Sequence, residues 1–199
     1  MRIPSRVIWA LVASSIVHAV PAQGGRQLWE AYGFGWSRSG GYGSSIAVIG
    51  DVNGDSFEDV AVGDPFDLGN PPGSGLVQVI SGVDGSVLLE LLPGNDGFLG
   101  EHVAAVGDID GDQTPDVLVA ESRDIVLFSG ADGSELSRLD EGAFANEPDA
   151  ITGPGDWSGD NVPDLARVRS GSVLVYSGAD NATIASFGTF VTDIEAISS

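Results

Sequence analysis

Three segments of the chain carry oxygen-bearing side chains at one spacing. The first holds Asp51, Asn53, Asp55 and Asp59, and the second Asp108, Asp110, Asp112 and Asp116. The third holds Asp156, Ser158, Asp160 and Asp164. Counted from the leading aspartate, these are positions 1, 3, 5 and 9 of a nine-residue loop. Position 7, occupied by Phe57, Thr114 or Val162, offers a backbone carbonyl. Hard oxygen donors gathered on a short flexible loop suit calcium, which accepts six to eight oxygens in loose geometry. The fifteen residues just named are therefore the expected metal ligands, and about three Ca2+ sites are expected. Glycine stands at position 4 of each loop (Gly54, Gly111, Gly159), and position 12 is Val62, Val119 or Arg167. An EF-hand needs its glycine at position 6 and an acid at position 12, so the loops are not EF-hands. Acidic turns without metal are disfavoured too, because uncompensated carboxylates repel one another.

A second motif sets the period. Ser81-Gly82, Ser129-Gly130 and Ser177-Gly178, each followed two residues later by Asp84, Asp132 or Asp180, recur 48 residues apart. Asp-Gly between apolar runs is expected to make a two-residue hairpin turn with both central residues at positive φ. Short β-branched runs flank these markers. Strands are predicted at 45–50, 59–63, 76–81 and 86–92 in the first repeat, and at 103–107, 117–121, 124–129 and 135–139 in the second. The acidic loop joins the first two strands of a repeat, and the Asp-Gly turn joins the last two. The first repeat carries nine extra residues, placed near 64–74 in the Pro/Gly-rich stretch after Asp64.

Four strands in about 48 residues are the signature of a β-propeller blade. The expected fold is all-β, with about three blades of four antiparallel strands and partial strands at each end, as in an incomplete ring. The repeats run approximately over 45–97, 98–145 and 146–190, with a partial one at 191–199. Residues 23–44 form an aromatic and Gly-rich segment in which 28–32 reads as the outer strand of a preceding blade. Residues 194–197 read as the inner strand of a following one. An open arc exposes two sheet edges, so the chain is expected either to be part of a larger ring or to close one by homo-oligomerisation.

These residues resemble the FG-GAP repeat family, as found in the N-terminal β-propeller of integrin α-chains. The acidic loop carries most of the likeness. Phe98-Leu99-Gly100 is similar to the Phe-Gly element before an inner strand with one residue inserted, and Phe187-Gly188 matches that element outright. Gly63-Asp64-Pro65 is similar to the Gly-Ala-Pro element after the second strand. Repeats two and three depart from it, with Ala120-Glu121-Ser122 and Val168-Arg169-Ser170 in its place. The resemblance implies structural calcium and a partner-binding rather than catalytic role.

Composition narrows the rest. Residues 1–22 read as a secretory signal: Arg2 and Arg6, an apolar run of about 14 residues, then Val20-Pro21-Ala22. Export to an extracellular or periplasmic location is expected, with no membrane insertion after cleavage. The chain carries a formal charge of −21 with eight arginine and lysine residues against 29 acids. That excess repels nucleic acid and anionic lipid. There is no cysteine, so metal is the expected substitute for disulfides.

Catalytic signals are missing. His102 lacks a companion nucleophile and reads as a strand residue. No phosphate loop is present. Asn181-Ala182-Thr183 is a glycosylation sequon that turn chemistry explains equally well. The aromatics Trp29, Tyr32, Phe34, Trp36 and Tyr42 allow a lectin-like surface as an alternative, and Trp157 should project from its loop as a contact residue. The expected function is that of an exported calcium-binding repeat protein with a non-catalytic binding or structural, adhesion-like role. A carbohydrate-binding module, or an accessory fragment of a larger secreted protein or hydrolase, is the alternative. The expected ligand is an extracellular protein or glycan.

Overall fold

The computed structural model describes residues 16–18, 30–32, 41–67, 74–94, 97–139, 150–169 and 171–188. The described residues form β-strands joined by turns and loops, with no helix among them. Three four-stranded antiparallel sheets dominate, one in each predicted repeat. The first is β3(Ser45–Gly50), β4(Asp59–Asp64), β5(Leu76–Ile80) and β6(Val87–Leu91). The second is β7(Val103–Gly107), β8(Asp116–Glu121), β9(Asp124–Phe128) and β10(Glu135–Leu139). The third is β11(Ala150–Gly155), β12(Asp164–Arg169), β13(Ser172–Tyr176) and β14(Thr183–Gly188). Each sheet is a meander in which strands adjacent in sequence pair. The inner strands β3, β7 and β11 run side by side, so the sheets stack like propeller blades.

Alternation along the strands builds the stack. In the second blade Val117, Val119, Val126 and Phe128 face the first blade, in a core with Ile49, Val77 and Leu91. Their neighbours Leu118, Ile125 and Leu127 face the third blade, against Leu165 and Tyr176. The middle blade is buried on both faces, and its two central strands β8 and β9 are accordingly near-continuous apolar runs. The first blade ties to the second at the start of its third strand as well. Leu99 is fully buried in the first core, and its backbone bridges Gly75.

In the second blade the departure from Gly-Ala-Pro is filled by charge. Glu121, almost wholly buried at the end of β8, pairs with Arg138 on β10, which also reaches Asp124 and Glu135. A buried carboxylate persists only when paired in this way. In the third blade the Arg167 guanidinium lies 5.6 Å from the Tyr176 ring centre, a cation–π contact between strands.

Several sequence expectations are corrected. The Asp-Gly segments are four-residue loops rather than two-residue turns. The Ser81 N–H donates to the Ser86 carbonyl and the Gly85 N–H to the Ser81 carbonyl. Only the last loop residue, Gly85, Gly133 or Asn181, has positive φ. The aspartate before it instead accepts a hydrogen bond from the N–H two residues on, as in Asp84 with Ser86. Phe187-Gly188 is not the element before an inner strand. It ends the outer strand β14, where Phe187 pairs with Val173. At Phe98-Leu99-Gly100 the buried residue is Leu99, while Phe98 stays exposed and meets the Phe66 ring edge-on. The predicted strand 28–32 appears as β2(Glu30–Tyr32), paired with β1(Ile16–His18) rather than with a blade. Trp29, Phe34, Trp36 and residues 194–197 lie outside the described residues.

Truncating Leu118→Ala should cost about 2–5 kcal/mol, the range for an aliphatic side chain removed from a closed core. Urea unfolding followed by fluorescence checks this, and a loss below about 1 kcal/mol would mean that the second and third blades do not pack tightly.

Candidate metal sites

Each acidic loop is an eight-residue connection closed by one strand pair. Gly50 pairs with Asp59, Gly107 with Asp116 and Gly155 with Asp164, each just past a register shift in the ladder. These glycines hold positive φ, a conformation a side chain would strain. The bulge turns the chain out of the sheet and into the loop.

Inside the loop the leading aspartate organises the backbone. Asp108 accepts N–H bonds from Gly111, Asp112 and Gln113 at 2.7–3.1 Å. Asp51 and Asp156 accept from the corresponding residues of their loops. Positions 3 and 5 act locally: Asp110 accepts from Asp112, and Asp112 from Thr114. The chain is coiled so tightly that position 6 is left-handed even without glycine, at Ser56, Gln113 and Asn161. That requirement was invisible in the residue types.

The ninth position differs from the others. Asp59, Asp116 and Asp164 are fully buried, whereas positions 3 and 5 of every loop are exposed. One carboxylate oxygen of Asp116 accepts the N–H of Ile109 at position 2 (2.8 Å), and the other accepts the N–H of Gly130 (3.0 Å). Asp59 binds Val52 and Gly82 in the same way, and Asp164 binds Trp157 and Gly178. The ninth aspartate thus fastens the acidic loop to the Ser-Gly turn of its own blade. The Ser-Gly glycine is required for close approach. A Cβ on Gly82, Gly130 or Gly178 would overlap the carbonyl oxygen of Glu58, Pro115 or Pro163. This contact was missed in reading the sequence. Its signal is the constant 21-residue distance from loop to Ser-Gly in the second and third repeats.

Among the described residues, one group of acids meets the geometry of a metal site. Ligand oxygens of Asp108, Asp110 and Asp116 all lie within 4.8 Å of one another. Burial pushes the Asp116 carboxyl up to about 6, against its two backbone donors, and the nearby Asp110 and Asp112 carboxylates add to the rise. An all-oxygen donor set with one buried, destabilised carboxylate fits a hard divalent cation, which would offset that charge. Asp112 lies outside this group of three, as do the corresponding residues of the first and third loops, where Asn53 and Ser158 replace an acid at position 3.

Residues 42–80, covering the first acidic loop and the first three strands of the first blade, match the FG-GAP repeat family. The chain is similar to integrin alpha chains. It is 36% identical over 103 residues to integrin alpha-3 of Cricetulus griseus, covering 47% of this chain and 9% of that protein. It is 38% identical over 94 residues to integrin alpha-7 of Homo sapiens, covering 44% and 8%. Against integrin alpha-2 of Bos taurus the identity is 33% over 95 residues, covering 43% and 8%. The matched stretch spans less than a tenth of each relative.

Gly130→Ala tests the fastening between loop and turn. It should lower stability by about 1–3 kcal/mol, the cost of leaving a buried polar group unpaired, in addition to the steric clash. Equilibrium unfolding checks this, and wild-type stability in the variant would show that the turn yields without consequence.

Proposed function

We propose that this protein is an exported, calcium-stabilised blade module with a binding or adhesion-type, non-catalytic role. The observation that carries the proposal is the convergence of Asp108, Asp110 and Asp116 on one point of the second loop. The same loop architecture is repeated twice more, and the likeness to integrin alpha chains supports a role in binding rather than catalysis. In the second loop Asp108, Asp110, Asp112 and Asp116 would hold the ion, with the carbonyl of Thr114. In the first the ligands would be Asp51, Asn53, Asp55, Asp59 and the carbonyl of Phe57. In the third they would be Asp156, Ser158, Asp160, Asp164 and the carbonyl of Val162. The cation would supply positive charge to a crowded acidic rim and nothing chemically reactive. This chain's own residues do the positioning: the leading aspartates hold the loop backbone and the buried ninth aspartates hold the loop to the blade. A secreted location follows from the leader-like residues 1–22 and agrees with the lack of cysteine.

Calcium should raise the melting temperature, and chelator should lower it. A ligand that binds only the native state adds about 2.7 kcal/mol per site at a hundredfold excess over its Kd. The second loop has four carboxylates where the others have three, so it should bind most strongly. Asp110→Ala should therefore remove more of the calcium-dependent rise than Ser158→Ala. Differential scanning calorimetry with chelator and with millimolar calcium measures both effects. An unchanged midpoint refutes the calcium reading, and a larger loss in Ser158→Ala refutes the order of the sites.

A further inference from the structure

The first acidic loop contains a dipeptide that the other two lack. The chain has six asparagines, and Asn53 alone is followed by glycine. Asn53 and Gly54 are both exposed, at positions 3 and 4 of the loop. Gly54 holds a φ of +77° and has nothing within 4 Å of where a Cβ would stand. Its unhindered backbone nitrogen is a nucleophile placed next to the Asn53 carboxamide, an electrophile. In the reaction open to this pair, the Gly54 nitrogen bonds to Cγ of Asn53 and the bond from Cγ to Nδ2 breaks. The amide proton leaves with Nδ2 as ammonia. Water then opens the five-membered imide. Attack at Cγ gives aspartate, and attack at the main-chain carbonyl gives isoaspartate. Water is the only co-reactant.

The folded loop withholds both partners. The Gly54 N–H donates to Asp51 Oδ1 at 2.7 Å, so its proton is engaged and its peptide plane is fixed. The Asn53 carboxamide is held at both ends. Its Oδ1 accepts the Asp55 N–H at 3.0 Å, and its Nδ2 donates to Asp55 Oδ2 at 3.0 Å. Asp51 also accepts the N–H groups of Asp55 and Ser56, which fixes the backbone just beyond Gly54. Ring closure needs the carboxamide to turn over the face of the Gly54 peptide, and that breaks these bonds. Residues 53–58 are all exposed, so opening the loop costs less than unfolding the blade.

We propose that Asn53-Gly54 is a self-modification site at which opening of the loop converts position 3 from an amide to an acid. The conversion changes the loop's own interactions. The amide donor to Asp55 is replaced by a further carboxylate among Asp51, Asp55 and Asp59, so without a counter-ion the loop is loosened by repulsion. Isoaspartate also lengthens the main chain by one carbon and breaks the coil that Asp51 holds. The aspartate product carries four carboxylates, as Asp108, Asp110, Asp112 and Asp116 do in the second loop. This last consequence rests on the calcium reading above: ageing would give the first site the ligand charge of the second.

Mass spectrometry of peptides cut from the intact chain after incubation at mildly alkaline pH with chelator tests the conversion. Position 53 should change from amide to acid, as aspartate and isoaspartate, while Asn161 stays an amide. Asn161 is also exposed, in the third loop, but β-branched Val162 follows it. The rate should be at least about tenfold lower in the folded chain than in urea, the factor that about 1.4 kcal/mol of loop closure supplies. Asp51→Ala should bring the folded rate toward the urea rate with its circular dichroism unchanged. If that variant unfolds, Asp55→Ala, which frees Nδ2, should still react faster than wild type. Three results would overturn the proposal: an Asn53 that survives in urea, equal rates in the folded and unfolded chain, or a folded rate indifferent to these substitutions. The product chain, Asn53→Asp, should melt lower than wild type in chelator and gain more from millimolar calcium. A calcium gain absent from both chains would refute the calcium reading, while the conversion would still be decided by the mass measurement.

Discussion

The structure depends on a buried carboxylate with both oxygens engaged by backbone N–H groups. In a four-stranded meander, the connections between strands one and two and between strands three and four emerge at the same end of the sheet. That places each acidic loop beside the Ser-Gly turn of its own blade. The ninth aspartate spans the gap, accepting Ile109 on one side and Gly130 on the other in the second blade. A buried ionisable group is costly unless its hydrogen-bonding capacity is filled. The blade fills it with backbone N–H groups brought close by the two loops. The requirement for glycine at Gly130 then follows, because only an unbranched backbone comes close enough to Pro115.

The same device puts the acidic rim where it is. Ten carboxylates occupy positions 1, 3, 5 and 9 of the loops across the three blades, and all three loops lie at the equivalent end of their sheets. The leading aspartates give part of their charge to the loop N–H groups. The exposed acids at positions 3 and 5 keep theirs facing water. This division separates two tasks within one motif. Positions 1 and 9 shape and anchor the loop, and positions 3 and 5 leave their side-chain oxygens exposed at its surface.

Much of this architecture was legible in the sequence because the repeat displays each element three times. The strands 45–50, 103–107 and 135–139 have their predicted bounds, and the others in the first two blades differ by one residue at an end, or at both ends for β6. What escaped the sequence was whatever depends on contacts between elements. The left-handed backbone at Gln113 cannot be read from a glutamine. The four-residue turn at 82–85 looked like a two-residue one because Asp-Gly is common to both, and only the Ser81–Ser86 pairing separates them. Phe187-Gly188 matched a motif by letters, while its place in β14 is fixed by its pairing with Val173. The Asp108, Asp110 and Asp116 convergence was legible from spacing, yet the double duty of Asp116 was not, since Gly130 lies 14 residues on.

Repetition also explains why the ends of the stack carry so much information. Within a single sheet, exposure of an aromatic such as Phe187 has no reference against which to judge it. In a repeat, every position has counterparts whose burial is known. Leu91 is wholly buried and Phe187 half exposed at one and the same register position. The difference cannot come from local propensity, because both residues sit on an outer strand beside a valine of the third strand. It comes from what stands in front of the blade. A larger ring at this position than in the buried repeats means that the face has not been made polar to suit water, as an end cap of a stacked array usually is. The third blade therefore keeps the chemistry of an interior blade, while the loop beside it keeps the acidic ligands that the interior loops carry.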